Sequence, residues 1–294
     1  MTDQGGLGAR TPTPPTPRID AHHHFWNVEN GEYDWPTPAH GAIYRTFTVD
    51  DLAPLVAGGG LDGSVIVQTM DTPADTESML AVAAQTPWVR GVVGWVPLED
   101  RGAAAATLDR FGHRLCGVRH LIHYEPDPDW LVRPAVLDGL REIAGRGLAF
   151  DVVAVFPDHL RHVPTLADQL PDLTFVIDHL AKPPYRRSGW DAWREQIVEA
   201  ARRPNVTAKI SGLTTAAGTG WTLEELRPAL DIALEAFGPE RLIFGSDWPV
   251  CLLASTYAEH LRAIEALIGG LEPAEQTAIM GGNAVRTYRL ANDA

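Results

Sequence analysis

The chain of 294 residues is 45% hydrophobic and 21% charged, so it can bury a large core and is not broadly disordered. Its formal net charge of −14 argues against nucleic acid and anionic membrane surfaces as partners, because both bind clustered lysine and arginine. No apolar run approaches the ~18 residues of a membrane span, and no signal pattern opens the chain. We therefore expect a cytoplasmic protein without a membrane partner.

Residues 1–17 are rich in glycine, threonine and proline, a composition that predicts a disordered tail. From residue 18 onward, short apolar runs alternate with helical patterns. Strands are predicted near residues 18–26, 63–68, 91–96, 117–122, 148–153, 173–179, 206–211 and 241–247. Helices are predicted near residues 50–57, 74–85, 102–112, 133–145, 158–169, 190–202, 222–236, 255–268 and 283–290.

The alternation of strands and helices decides the fold class. Eight strand candidates in this length predict an α/β fold, a single (β/α)8 TIM barrel spanning residues 18–294. An open doubly wound sheet would need a glycine-rich phosphate turn early in the chain, and no G-x-G-x-x-G motif follows a strand. Because chemistry in a barrel of this kind lies at the carboxyl ends of the strands, polar residues there are the candidates for a site.

The last strand, within residues 241–249 (RLIFGSDWP), carries Asp247 at its carboxyl end. Three apolar residues form its buried run, and Pro249 stops further pairing. On this stretch alone, Asp247 is either a catalytic carboxylate or the cap of the following helix.

The first strand ends in a His-x-His pair. Because a strand alternates its faces, His22 and His24 point to one side and His23 to the other. Two imidazoles at this spacing are a common geometry for binding a metal ion, and two histidines hydrogen-bonded inside a polar pocket are the alternative. The other strand ends offer further polar residues, namely Gln68, Trp95, Arg119, His120, Asp151, Asp178, His179, Lys209 and Ser211.

Five motifs together carry a family resemblance. They are IDAHHHFW at 19–26, GVRH at 117–120, FVIDHLAKP at 175–183, KISGL at 209–213 and FGSDWP at 244–249. The set resembles the amidohydrolase superfamily and, within it, the hydrolases of sugar lactones and dicarboxylate lactones (L-fuconolactonase, L-rhamnonolactonase and 2-pyrone-4,6-dicarboxylate lactonase). The resemblance runs from about residue 18 to the end of the chain. It implies an amidohydrolase-type barrel and a hydrolase acting on a carboxylic ester in carbohydrate metabolism.

The resemblance also implies roles for individual residues. His22 and His24 match the pair that holds a divalent metal in many members, and Asp247 matches the aspartate that acts as general base and can itself bind the metal. His179 matches the histidine of the sixth strand, and Arg119 matches a basic residue that contacts substrate. The chain departs from the two-metal pattern, because Arg119 and Asp151 stand where relatives carry a lysine and a histidine. We therefore expect one divalent ion such as zinc, or no metal.

The expected reaction is the opening of a small lactone, most readily a sugar lactone, by water. Asp247 takes the proton of the water, and Arg119, a zinc ion or a protonated histidine stabilises the oxyanion. Asp247 or His179 then protonates the leaving alkoxide. The substrate is expected to contact a set of polar and aromatic residues around the cleft, namely Trp26, Tyr33, Trp35, Gln68, His123, Asp151 and Lys182. A homo-oligomer is compatible with the sequence.

Two other functions fit the same barrel. One is a zinc-dependent decarboxylase or hydratase, which would need a firmly bound metal and a third histidine ligand. The other is a non-catalytic barrel that binds a sugar acid. The intact set of His22, His24, His179 and Asp247 favours an enzyme over a silent barrel, whereas fold alone does not decide function.

Overall fold

The computed structural model describes residues 15–30 and 35–291, and the predicted TIM barrel is confirmed. The predicted disordered tail therefore lies largely outside the described residues. Eight parallel strands form one sheet in chain order. The strands are β1 Ile19–His23, β2 Gly63–Val67, β3 Val89–Gly94, β4 Gly117–His120, β5 Ala149–Val152, β6 Thr174–Ile177, β7 Val206–Ile210 and β8 Leu242–Phe244.

The barrel closes between its last and first strands. The backbone N–H of Asp247 donates to the carbonyl of His22 at 2.8 Å, and the N–H of His24 donates to the carbonyl of Trp248 at 2.7 Å. The register of β1 against β2 shifts between Asp20 and His23. Such irregularities re-aim side chains at the rims of barrels, and this one lies where the histidine pair leaves the strand.

Helices surround the barrel, in agreement with the alternation seen in the sequence. They are α1 Val49–Gly58, α2 Pro73–Gln85, α3 Arg101–Phe111, α4 Pro134–Gly145, α5 Val163–Gln169, α6 Trp190–Ala201, α7 Leu213–Ala217, α8 Leu223–Phe237, α9 Tyr257–Ile268, α10 Pro273–Thr277 and α11 Asn283–Thr287. Within the described residues, no helix is long and apolar enough to cross a membrane.

The helix α8 shows how these elements follow from the sequence. The side chain of Thr222 caps its first turn by accepting from the N–H of Glu225 at 3.3 Å. Its buried residues recur at intervals of three and four, which places them on one face toward the strands: Leu226, Ala229, Leu230, Ala233 and Phe237.

The structure differs from the sequence prediction mainly in its helices. It contains two short helices that were not predicted, α7 and α10, and two of the predicted helices are shorter. The helix expected at 158–169 is shorter, because Pro164 suits only the first turn of α5 and a 3-10 turn, Leu160–His162, precedes it. The final helix α11 follows a π-helical turn, Ala278–Gly282. A Cβ on Gly281 would lie 1.8 Å from the carbonyl oxygen of Pro17, so only glycine allows this turn to pack on the first described residues.

Aliphatic residues fill the lower part of the barrel interior. They come from β1, β2, β3, β5, β6 and β8 and pack against side chains of the last helix and of the residues after it. The cluster consists of Ile19, Ala21, Val65, Val67, Val93, Ala149, Val176, Ile243, Ala284, Tyr288 and Leu290. The polar residues therefore lie above this layer, at the carboxyl ends of the strands.

Candidate active site

Four side chains from three parts of the chain meet at the carboxyl end of the barrel. His22 Nε2 and His24 Nε2 are 3.2 Å apart. Asp247 Oδ1 lies 3.7 Å from His24 Nε2 and 3.9 Å from Nε2 of both His22 and His179. His24, His179 and Asp247 line a cleft of about 670 Å³, and His22 lies just beneath it. The other residues that line the cleft are Trp26, Trp35, Thr69, Met70, Asp71, Thr72, Arg119, Leu121, His123, Tyr124, Val153, Lys182 and Val250.

The turn after β8 aims Asp247 into this cleft. Asp247 itself has a left-handed backbone with φ of 57°, a conformation that aspartate tolerates better than most residues. Asp20 fixes the turn, because its Oδ1 accepts from the N–H of Ser246 at 2.8 Å. A Cβ on Gly245 would lie 2.7 Å from Cβ of His22, so glycine lets the turn pass close to β1. The carboxylate is therefore positioned by the chain and does not cap a helix through its side chain.

The protonation states suit a base beside neutral imidazoles. Burial alone would raise the pKa of Asp247, but His179, His24 and His22 together lower it below its usual value. Burial lowers the pKa of His179 to about 4, so its imidazole is neutral at pH 7. His179 Nδ1 lies 2.8 Å from Ser211 Oγ, which fixes the ring with Nε2 toward Asp247. The cluster thus holds an ionised carboxylate at neutral pH.

Arg119 supplies a positive charge on the floor of the cleft. Its Nη1 lies 3.2 Å from His22 Nε2 and 3.1 Å from Asp178 Oδ2. Its Nη2 donates to the backbone carbonyl of Gln68 and, at 3.2 Å, to the side-chain oxygen of the same residue. These contacts hold the guanidinium in place beside Asp247 and the histidines.

A buried ion network supports the cluster from below. Lys209 Nζ lies 2.5 Å from Asp151 Oδ2, 3.1 Å from Asp178 Oδ1 and 3.0 Å from His22 Nδ1. The hydroxyl of Tyr288 donates to both oxygens of Asp151 at 2.8 and 2.9 Å. Charges buried this deeply are retained only when paired and hydrogen-bonded, so the network fixes the orientation of the site above it.

The His22–His24–Asp247 cluster fits one zinc-type ion. Its three ligand atoms lie within 4.8 Å of one another, and burial together with the Lys209 ammonium lowers the pKa of His22 well below its usual value, which keeps the imidazole neutral. Arg119 Nη1 donates to the lone pair of His22 Nε2 that would bind the ion. His22 Nε2 therefore either accepts this hydrogen bond or binds an ion. A second group, His22, Asp178 and His179, fits less well, because Asp178 is already paired with two cations.

The residues predicted to contact substrate divide into three groups. Trp26, Trp35, His123 and Lys182 line the cleft. Gln68 and Asp151 are fully buried and bond to Arg119 and Lys209, so the structure does not place them with the lining residues. Tyr33 lies outside the described residues.

Sequence reasoning overlooked several polar residues of the site. Asp71, Thr69 and Thr72 line the cleft from the loop between β2 and α2. Asp71 lies beyond the end of β2 and not at it. The signal that points to it is the polar loop Thr69–Thr72, which directly follows a buried strand. Tyr288, in the last turn of the chain, had no pattern that linked it to the site.

The segment after β6 holds His179 and Lys182 in an uncommon backbone conformation. Residues 179–182 all have positive φ, between 48° and 58°, although none of them is glycine. Lys182 N–H closes the turn by donating to the carbonyl of His179 at 2.8 Å. Trp193 Nε1 on α6 donates to the carbonyl of Leu180 at 2.8 Å. We refer to residues 179–182 as the left-handed turn.

Comparisons with known proteins identify the family to which the chain belongs. A family model described as amidohydrolase (Amidohydro_2) matches residues 19–290. L-fucono-1,5-lactonase of Burkholderia ambifaria is 37% identical over 282 residues, covering 93% of this chain and 96% of that protein. L-fucono-1,5-lactonase of Burkholderia multivorans is 35% identical over 289 residues, covering 94% of this chain and 97% of that protein.

A solved structure resembles the chain closely as well. The crystal structure of an amidohydrolase from Burkholderia multivorans with bound zinc superposes with a TM-score of 0.88 at 33% identity, covering 93% of this chain and 99% of the other. The family match and these relatives each extend over nearly the whole chain, so the protein belongs to the amidohydrolase family.

Proposed function

We propose that this chain is a hydrolase that opens the ester ring of a sugar lactone of the L-fucono-1,5-lactone kind. The observation that carries the proposal is the Asp247 carboxylate, which lies in the cleft close to His24 and His179, with Arg119 lining the same cleft. The relatives at 37% and 35% identity, both named L-fucono-1,5-lactonase, support the choice of a sugar lactone.

The proposed mechanism uses Asp247 as general base. The carboxylate takes a proton from water while the water oxygen bonds to the lactone carbonyl carbon, a form of catalysis that typically contributes ~10²–10⁴-fold. Arg119 stabilises the negative charge that develops on the carbonyl oxygen. The bond from that carbon to the ring oxygen then breaks, and the leaving alkoxide receives the proton from Asp247, directly or through His179. The product is the open-chain hydroxy acid, and Asp247 is ionised again.

We propose further that His22, His24 and Asp247 would hold a zinc ion if one is bound. A zinc ion in such a site acts as a Lewis acid and lowers the pKa of a bound water. The imidazoles of His22 and His24 are suitable ligands, and that of His22 is kept neutral by burial and by the Lys209 ammonium, while Arg119 competes for His22 Nε2. The metal dependence of the reaction is therefore part of its test.

The test is hydrolysis of a panel of aldonolactones, followed with a pH indicator before and after treatment with a chelator. We expect hydrolysis of L-fucono-1,5-lactone. Activity that is lost with the chelator and restored by zinc would assign His22 and His24 as ligands in the working enzyme, whereas activity that survives would assign the oxyanion to Arg119. No hydrolysis of any lactone, with zinc present, would reject the proposal in favour of a decarboxylase, a hydratase or a binding protein.

A further inference from the structure

We propose that Asp71 binds hydroxyl groups of the substrate and thereby restricts the cleft to lactones that are hydroxylated and uncharged. The inference rests on the proposed lactonase function and names a specificity residue within it. Asp71 lies in the loop between β2 and α2 and lines the same cleft as His24, His179 and Asp247. About a quarter of its side chain, 26%, is exposed there.

Hydrogen bonds hold the carboxylate of Asp71 in a fixed orientation. Gln68 Nε2 donates to its Oδ1 at 2.7 Å. The N–H of Leu121, just past β4, donates to Oδ1 at 3.1 Å and approaches Oδ2 at 3.3 Å. A carboxylate that is fixed in this way from two strands is prepared for a ligand, because little freedom remains to be lost on binding.

The carboxylate of Asp71 forms no direct ion pair with a lysine or arginine of the described residues. In the described part of the chain, no lysine or arginine nitrogen lies within 4.0 Å of it, and the basic side chain nearest to it is His120, with Nε2 at 3.5 Å. The indole N–H of Trp95 can only donate, so His120 Nδ1, 3.0 Å away, accepts from it. His120 Nε2 lies 2.7 Å from Glu125 Oε1, so its hydrogen bond is to Glu125 and not to Asp71.

An ionised carboxylate in a cleft needs hydrogen-bond donors from its ligand. Asp71 has lone pairs beyond those that accept from Gln68 and Leu121, and burial raises its pKa, which indicates a carboxylate that its surroundings only partly compensate. Ring hydroxyls are donors without charge and would form charge-assisted hydrogen bonds with it. A lactone bearing a carboxylate would instead place a like charge against Asp71.

The position of Asp71 relative to Arg119 gives the cleft a polarity. The Gln68 side chain bridges the two residues, because its Oε1 accepts from Arg119 Nη2 at 3.2 Å while its Nε2 donates to Asp71. A lactone whose carbonyl oxygen faces Arg119 would therefore present its hydroxyl-bearing side to Asp71. Asp71 therefore determines which substrate binds and takes no part in the reactions of the water or the leaving group.

The experiment compares Asp71→Asn and Asp71→Ala with the wild type on three substrates. L-fucono-1,5-lactone carries hydroxyls, δ-valerolactone has the same six-membered ring without them, and D-glucaro-1,4-lactone carries a carboxylate. For Asp71→Asn we expect kcat/KM to fall about 10- to 100-fold on the first and to change less than about threefold on the second. The preference of the enzyme for L-fucono-1,5-lactone over D-glucaro-1,4-lactone should become smaller.

Glu125→Gln is the matched control, because Glu125 bonds to the same His120 without lining the cleft, and it should leave the ratio between the substrates unchanged. An equal loss on the hydroxylated and the unsubstituted lactone in folded Asp71 variants, or no loss on either, would overturn the assignment. If the wild type opens δ-valerolactone but no sugar lactone, the role assigned to Asp71 is also overturned, although the protein is still a lactonase. A wild type inactive on all three would reject the proposed function itself.

Discussion

At the scale of single residues, the proposed chemistry depends on protonation states that burial sets in advance. Asp247 stays ionised because histidines surround it, and His179 stays neutral because burial lowers its pKa to about 4. A base must be deprotonated to act, so the charge state required for catalysis is present throughout the neutral range.

The pH dependence of the rate follows from these two groups. We expect kcat/KM for L-fucono-1,5-lactone, corrected for spontaneous hydrolysis, to be flat between about pH 6 and 8 and to decline only below about pH 4. The decline is on the acid side, because protonation of Asp247 removes the base. An inflection between about pH 6 and 7 would mean that a group with an ordinary histidine pKa, or a metal-bound water, controls the rate.

At the scale of the element, the left-handed turn positions His179 at an energetic cost. A left-handed backbone costs about 1–2 kcal/mol for each residue that is not glycine, and four such residues follow one another here. Such strain persists only where the surrounding structure fixes it, and the hydrogen bond from Trp193 to the carbonyl of Leu180 is one of the contacts that do so. Trp193 thus acts on the site through the turn, from outside the barrel.

Replacing Trp193 should separate this positioning role from simple packing. Trp193→Phe keeps a ring in the core but removes the hydrogen bond, so we expect the free energy of unfolding to fall by about 1–2 kcal/mol. The value of kcat should fall about 3- to 30-fold, since a misplacement of about 1 Å is costly to catalysis. Trp190→Phe on the same helix is the control, because Trp190 makes no hydrogen bond to the turn within the described residues. Equal kcat in the two variants would show that the bond does not position His179.

At the scale of the whole molecule, buried neutral histidines make the fold sensitive to acid. His260 is fully buried between Thr214 Oγ1 and the carbonyl of Gly245, each at 3.1 Å, and burial lowers its pKa to about 4. Burial likewise lowers the pKa of His22, His23 and His179. In the unfolded chain these histidines are protonated near pH 6.5, whereas in the folded protein they stay neutral to lower pH. The free energy of unfolding is therefore highest above about pH 6.5 and decreases as the pH falls toward about 4.

His260 offers a direct measurement of this effect at a residue that does not line the cleft. Between pH 7 and 5, its shift alone should lower the free energy of unfolding by about 2 kcal/mol. Denaturant unfolding at the two pH values, for the wild type and His260→Gln, measures the difference. The variant should be less stable at pH 7 yet lose about 2 kcal/mol less on acidification. An unchanged loss would mean that His260 is protonated in the folded protein.

The parts of the structure that the sequence could predict are those with a periodic pattern of residues. Strand and helix periodicity predicted the barrel, and the position of strand ends brought His22, His24, His179 and Asp247 together. Periodicity shows which face of a strand a side chain lies on, but not how far below the cleft it lies. Asp151 was therefore expected to contact substrate, whereas it lies below the cleft and bonds to Lys209 and Tyr288. Loop residues such as Asp71 have no periodicity, because hydrogen bonds to other strands fix their positions.

The central claim is that Asp247 is the base of a sugar lactonase, and hydrolysis of L-fucono-1,5-lactone by the wild type and Asp247→Asn tests it most directly. Both proteins should be assayed with and without added zinc and checked for native folding by circular dichroism. We predict rapid hydrolysis by the wild type and a kcat lower by about 10²–10⁴-fold in the variant, with KM changed little, because the amide keeps the size of the side chain but cannot take a proton. A folded Asp247→Asn protein that hydrolyses the lactone as fast as the wild type would contradict the account.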